Sequence, residues 1–297
     1  MRVPSNGIEI EVDDQGPAGG EPLLLIMGLG MQLIAWPDEL VAELVARGFR
    51  VLRIDNRDAG LSTSLDHLGV PNVGWAALRH ALHLPVHAPY TLADMAADTL
   101  GVLDALGLAS VHVCAASMGG MVAQHLAAQH PERVRSLTLM MTSTGARSLP
   151  QARLHVRQAL LSRPRSQSEA DIVAHLERIV GVIGSPAFPP SPERLRERLL
   201  ASVRRAWRPA GTMRQLVAIA ADGDRSALVQ GIRVPTRIIH GEADPLVPVA
   251  AGHDLAKRVP GAEADFIAGM GHDLPLELPR FAEGIALNAT RATAVAN

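Results

Sequence analysis

The stretch Val111-His112-Val113-Cys114-Ala115-Ala116-Ser117-Met118-Gly119-Gly120 decides how the whole chain is read. An apolar, partly β-branched run stops at a serine, and a helix-forming segment starts directly after it. This is the pattern of a strand, a sharp turn and a helix, with the serine hydroxyl pushed out at the tip. The usual form is G-x-S-x-G, and here Ala115 stands at the first glycine. Taken alone, Ser117 could also be a helix N-cap, a position that serine favours.

Outward from the serine the same rhythm repeats. Toward the N-terminus, Leu23-Leu24-Leu25-Ile26-Met27 is a continuous apolar run between Pro22 and Gly28, and Val51 to Asp55 is a second. Such runs read as strands buried on both faces, as in a parallel sheet. Helical periodicity covers Pro37–Arg47, stopped by Gly48, and Thr91–Leu106, opened by a Thr91/Asp94 box. After the serine, Met118–His130 reads as a helix stopped by Pro131, and Leu137 to Met141 as another buried strand. Alternating β and α predicts an α/β fold with a mostly parallel central sheet and helices on both faces.

From about Gly145 to Arg225 the rhythm breaks. Helical stretches (152–161, 168–180, 192–207, 213–221) follow one another without a buried strand, some separated by proline-rich loops such as 185–190. The expected organisation is a core of residues 1–144 and 226–297 and a helical cap insertion at 145–225. Strands resume at Pro235–His240 and Glu263–Ile267. The last helix is expected at Leu278–Asn288, with a fraying tail from Ala289.

The chain has 297 residues, 47% hydrophobic and 20% charged, enough to bury a large core. A net charge of -2 gives no footprint for nucleic acid. The single cysteine excludes an internal disulfide framework and fits a reducing compartment. No apolar run approaches the ~20 residues that span a bilayer, and the N-terminus lacks a signal-peptide pattern. A cytoplasmic, soluble protein is expected.

A nucleophilic serine needs a base, a carboxylate to orient it, and donors for the oxyanion. His272, in Gly269-Met270-Gly271-His272 after the final strand, is the expected base. Gly241-Glu242-Ala243-Asp244 follows the preceding strand and offers Asp244 as the carboxylate, with Glu242 as its rival. The Met118 N–H, first in the helix after the serine, is one expected oxyanion donor. The other comes from Gly28-Leu29-Gly30, with Leu29 preferred and Gly30 second. The three groups run in the chain order Ser117, Asp244, His272, which is not that of chymotrypsin or subtilisin.

These residues, together with Met27-Gly28-Leu29-Gly30 and Asp55-Asn56-Arg57-Asp58-Ala59-Gly60, resemble the α/β-hydrolase fold family over about residues 7 to 288. Within it the chain is most similar to the aclacinomycin methylesterase group. It shares Met-Gly where many members carry His-Gly, the loop leading to Trp36-Pro37-Asp38-Glu39, and Ser-Met-Gly at the turn. The resemblance implies carboxylic ester hydrolysis of a small-molecule substrate, methyl esters included. It implies Asp244 as the acid, alanine tolerated at 115, and a cap between the sixth and seventh strands. No metal or other cofactor is expected. Lactonase, acyltransferase, carbon–carbon bond hydrolase and perhydrolase chemistry would use the same three groups. Dehalogenases and epoxide hydrolases of this fold need a carboxylate where Ser117 stands. A binding protein that keeps the site only as a ligand pocket is the rival from another class.

Other chemistry-bearing residues have plainer readings. His80, His83 and His87 lie in a proline-interrupted stretch without a cysteine or carboxylate partner, so a solvated segment fits better than zinc. His112 and His125 read as packed or surface residues. Cys114 reads as a small buried hydrophobe. Asp55 and Arg57 read as loop-holding groups. Residues 145–225 carry fourteen arginines against seven acids. A solvated face, or pairing with an acidic core, is the simpler account than attraction of anionic substrates.

Overall fold

The computed structural model describes residues 1–275 and 280–296. Its centre is an eight-stranded sheet in the order β1-β2-β4-β3-β5-β6-β7-β8. The strands are β1 (Arg2–Ser5), β2 (Ile8–Gln15), β3 (Glu21–Ile26), β4 (Phe49–Ile54), β5 (Val111–Ala116), β6 (Val134–Met140), β7 (Thr236–Gly241) and β8 (Glu263–Ile267). β1 and β2 pair antiparallel, as do β2 and β4; every pairing from β4 to β8 is parallel. All six residues of β5 are buried, which is why a run such as Val111–Ala116 is apolar without alternation.

The period of two along each strand divides the core between the two faces. On one face Leu24, Ile26, Leu52, Val113 and Ala115 meet Val102 of α3 (Leu92–Ala105) and Val122 and Leu126 of α4 (Met118–Gln129). On the other, Leu23, Leu25, Val51, Cys114 and Ala116 join Leu40, Val41 and Leu44 of α1 (Asp38–Ala46) and Phe281 and Ile285 of the C-terminal helix Arg280–Ala296. The box opening α3 is formed: the Asp94 N–H donates to Thr91 Oγ1 at 3.0 Å and the Thr91 N–H to Asp94 Oδ2 at 2.8 Å.

Between β6 and β7 lie α5 (Leu154–Leu161), α6 (Glu169–Ile183), α7 (Pro192–Arg205) and α8 (Pro209–Asp222), with no strand among them. The serines 168 and 191 cap α6 and α7 through their side chains. After α9 (Ser226–Val229) the sheet resumes, with α10 (Ala250–Arg258) between β7 and β8, and Arg280–Ala296 is α11. Among the described residues no helix is long and apolar enough to cross a membrane.

Several expectations are corrected. The anticipated start of the last helix at Leu278 lies outside the described residues. That helix does not end at Asn288 but continues to Ala296; Ala289 is buried, and Asn288 donates to Leu137 O at 2.9 Å and anchors the helix on β6. Helix α2 (Val73–Ala81) was not anticipated. It exposes Trp75 and Leu78, so its sequence lacks the inward apolar stripe that marks a packed helix.

Candidate active site

The residues that end β3, β5, β7 and β8 meet at the carboxyl edge of the sheet. Ser117 follows β5 with φ 54° and ψ -121°, a conformation that L-residues rarely adopt. The strained turn is held from both sides. The Ser117 N–H donates to Met140 O at 2.9 Å, and its carbonyl accepts from Thr142 Oγ1 at 2.7 Å. Gly119 permits the close approach of α4 to β3: a Cβ there would lie 2.3 Å from Ile26 O. Ala115 is fully buried and its methyl group belongs to the packed face around α4.

His272 Nε2 lies 3.0 Å from Ser117 Oγ, and His272 Nδ1 lies 2.7 Å from Asp244 Oδ2. Nδ1–H donating to the carboxylate leaves the Nε2 lone pair for the serine O–H. The other Asp244 oxygen, Oδ1, accepts from the Leu246 and Val247 N–H groups at 2.9 and 2.8 Å. The Asp244 side chain is fully buried and bonded to the imidazole, whereas Glu242 is exposed. His240 steadies this loop by donating from Nε2 to Val247 O at 2.8 Å, and burial holds its pKa below the usual histidine value.

The loop after β3 passes beside the serine. A Cβ on Gly28 would sit 3.4 Å from Ser117 Oγ, and Leu29 follows. The N–H of Gly30, the alternative to Leu29, is committed to Gln215 Oε1 at 2.8 Å. Met118 begins α4, so its N–H has no carbonyl partner within its own helix. Ser117, His272 and Asp244 are thus joined in one chain of hydrogen-bond distances, and Leu29 and Met118 adjoin the residues next to the serine. Such a cluster can pass a proton from hydroxyl to imidazole while backbone N–H groups meet a developing oxyanion.

The sequence marks Asp55 and Arg57 as groups that hold their loop, but it gives no sign of their partners or of what holds the histidine loop. Residues 183–187, the last residue of α6 and the turn after it, grip the histidine loop. The His272 N–H donates to Ile183 O at 2.7 Å, Gly271 N–H to Ser185 Oγ at 2.8 Å, and Ala187 N–H to Gly269 O at 3.1 Å. The Ser185 hydroxyl in turn donates to Asp273, whose carboxyl burial pushes above its ordinary pKa. Asp55 accepts from Leu33 N–H at 2.6 Å and from Arg205 at 2.7 Å, Arg57 pairs with Asp98 at 2.6 Å, and Arg214 with Asp58 at 2.7 Å. Each contact joins residues distant in sequence, so no local pattern could reveal it.

The remaining candidates sit apart from this site or inside the core. His80 Nδ1 lies 3.1 Å from Ala220 O, and His83 and His87 are exposed. Cys114 is buried with its Sγ 3.5 Å from Met140 Sδ, and burial raises the pKa of its thiol. His125 meets Asp222 at 2.8 Å. Many of the arginines of 145–225 are paired: Arg194 with Glu39, Arg196 with Glu177 and Arg204 with Glu169, besides Arg205 and Arg214.

Residues 21–279 match the sequence model of the alpha/beta hydrolase fold. The chain is 30% identical over 301 residues to rhodomycin D methylesterase DnrP of Streptomyces peucetius, covering 94% of each. It is 29% identical over 299 residues to rhodomycin D methylesterase DauP of Streptomyces sp. strain C5, again covering 94% of each. Among solved structures, a hydrolase from Pseudomonas aeruginosa PA01 superposes with a TM-score of 0.66 at 27% identity, over 98% of this chain and 97% of that one. The chain belongs to the α/β-hydrolase fold family.

Proposed function

We propose that this protein is a serine ester hydrolase that acts on small to medium apolar carboxylic esters, methyl esters included, in the cytoplasm. The reading rests on one observation: a serine on a strained strand-to-helix turn lies 3.0 Å from an imidazole whose other nitrogen is 2.7 Å from a buried carboxylate. The similarity to methylesterases over nearly the whole chain supports the ester as the bond attacked.

In this reading His272 takes the Ser117 proton as Oγ attacks the ester carbonyl. The Leu29 and Met118 N–H groups hold the oxyanion, and the N-terminus of α4 adds partial positive charge there. Asp244 fixes the imidazole tautomer and stabilises its charged form. His272 then protonates the leaving alcohol, and water activated by the same imidazole cleaves the acyl-enzyme. Residues 145–225 form a cap over this edge of the core made by 1–144 and 226–297, and shape the acyl and alcohol pockets.

Ser117→Ala is expected to lower kcat on short p-nitrophenyl esters by at least about 10^4-fold. A fluorophosphonate is expected to label the parent protein and fail on His272→Ala. Hydrolysis that survives Ser117→Ala in pure protein sinks the reading, and a parent that takes no label favours a ligand-binding protein on this fold. A panel of aromatic methyl esters, lactones and acyl chains of graded length then identifies the substrate class.

A further inference from the structure

Gln215 lies on α8, far in sequence from every residue of the site, and is fully buried. Its carboxamide bridges two backbone positions. Oε1 accepts from Gly30 N–H at 2.8 Å, and Nε2 donates to Arg57 O at 2.8 Å. One planar group must therefore accept at one end and donate at the other, which a carboxamide does and a carboxylate does not. Both anchors are firm. The Arg57 guanidinium is held by two bonds of 2.6 Å to Asp98. Its neighbour Asn56 donates to Met27 O at 2.8 Å, at the other end of the same glycine loop.

We infer that Gln215 is a positioning residue for the oxyanion loop, and that through it α8 takes part in the turnover of the serine hydrolase proposed above. Gly30 has φ 66°, and its N–H would otherwise compete with that of Leu29 for any anion or water beside Ser117. Turning the Gly30 amide toward α8 fixes the adjoining peptide and takes the Gly30 N–H out of play, which leaves the oxyanion to the Leu29 N–H in the reading above. Asn56 and Gln215 hold the loop on either side of Leu29, and Thr212 on the same helix closes over Gly30, where a Cβ would lie 2.7 Å from its Oγ1. The donor is thus oriented before substrate arrives, which is the condition for oxyanion stabilisation.

The test compares Gln215→Met, which keeps volume and removes both bonds, with Gln215→Glu, which keeps an acceptor for Gly30. Met is expected to lower kcat on a p-nitrophenyl ester roughly 10- to 100-fold with KM within about twofold. It is expected to weaken an aryl trifluoromethyl ketone, whose hemiketal oxyanion takes the same donors, by the same factor. Glu is expected to recover part of both losses. A purely structural role would lower Tm and leave the ratio of ketone affinity to KM unchanged, and that result overturns the inference. Amide exchange at Gly30 in the parent protein gives a reading that does not depend on variant folding: protection is expected, and exchange at the rate of a free amide overturns it. If Ser117→Ala is inactive while Gln215→Met matches the parent in kcat and ketone affinity, the inference fails alone. If Ser117→Ala is active, the underlying reading fails with it.

Discussion

At the scale of single residues, the turn at Ser117 combines strain with close packing. A non-glycine residue at φ 54° and ψ -121° costs on the order of 1–3 kcal/mol. The Met140 and Thr142 hydrogen bonds and the packing of α4 against β3 offset it. Ala115, where glycine is common, is three-dimensionally a core residue: it is fully buried in the same apolar cluster as Met118 and Val122. Ala115→Gly is expected to keep kcat/KM within about threefold and to lower stability by about 1–2 kcal/mol, from a lost methyl contact and a freer unfolded chain. Ester turnover and chemical denaturation measure the two separately. Loss of turnover in a protein that still folds would mean that the turn is misread.

At the scale of elements, two helices of the 145–225 segment are tied to two different loops of the site. The end of α6 holds the histidine loop through Ile183 and Ser185, and α8 holds the glycine loop through Gln215. Ser185 is the centre of the first contact, since it accepts from Gly271 N–H and donates to Asp273. Ser185→Ala is expected to cost about 1–3 kcal/mol, because it leaves the buried Gly271 N–H without its partner and takes the hydroxyl, though not the backbone N–H of residue 185, from the Asp273 carboxyl. A double-mutant cycle with Asp273→Asn should show a coupling above about 1 kcal/mol in urea denaturation. Strict additivity of the two substitutions would rule out the link.

At the scale of the whole molecule, the charges of the helical segment are matched to the core. Three of its arginines meet Asp55 and Asp58 of the loop after β4 and Glu39 of α1, with Arg214 and Asp58 both fully buried. Such pairs contribute more to the choice of docking geometry than to net stability, because desolvation offsets much of their attraction. Stability also depends on pH through buried histidines. Burial, with Arg135 nearby, pushes the His112 pKa down to about 4, against the weaker opposite effect of Glu21. The unfolded chain takes up this proton near pH ~6.5 and the folded one only near 4, so stability falls as pH drops through that window. The loss from this residue is up to about 3 kcal/mol. His240 acts in the same sense and Asp273 in the opposite one, so the difference between parent and variant isolates His112. His112→Gln should lose correspondingly less stability between pH 7 and 4 in denaturant titrations. Parallel curves for the two proteins would exclude the assignment.

The sheet was legible because strands buried on both faces must be apolar throughout, and Leu23–Ile26, Val111–Ala116 and Leu137–Met140 are. The groups Ser117, Asp244 and His272 were legible because each lies in a short loop after a strand, and only the strand before Ser117 is buried throughout. Helix α2 was not, since its apolar side chains face outward, and neither was the persistence of α11, which Asn288 anchors on β6. Local sequence determined the strands, the turn and the order of Ser117, Asp244 and His272 along the chain, because each depends on neighbours within a few residues. Only the tertiary structure decided what holds them in place: Gln215 on Gly30, Ser185 on Gly271 and Asp273, Arg214 on Asp58. Those partners lie 86 to 185 residues apart in the chain. A hydrogen bond between groups so far apart carries no periodicity and no spacing, and exists only once the chain has folded.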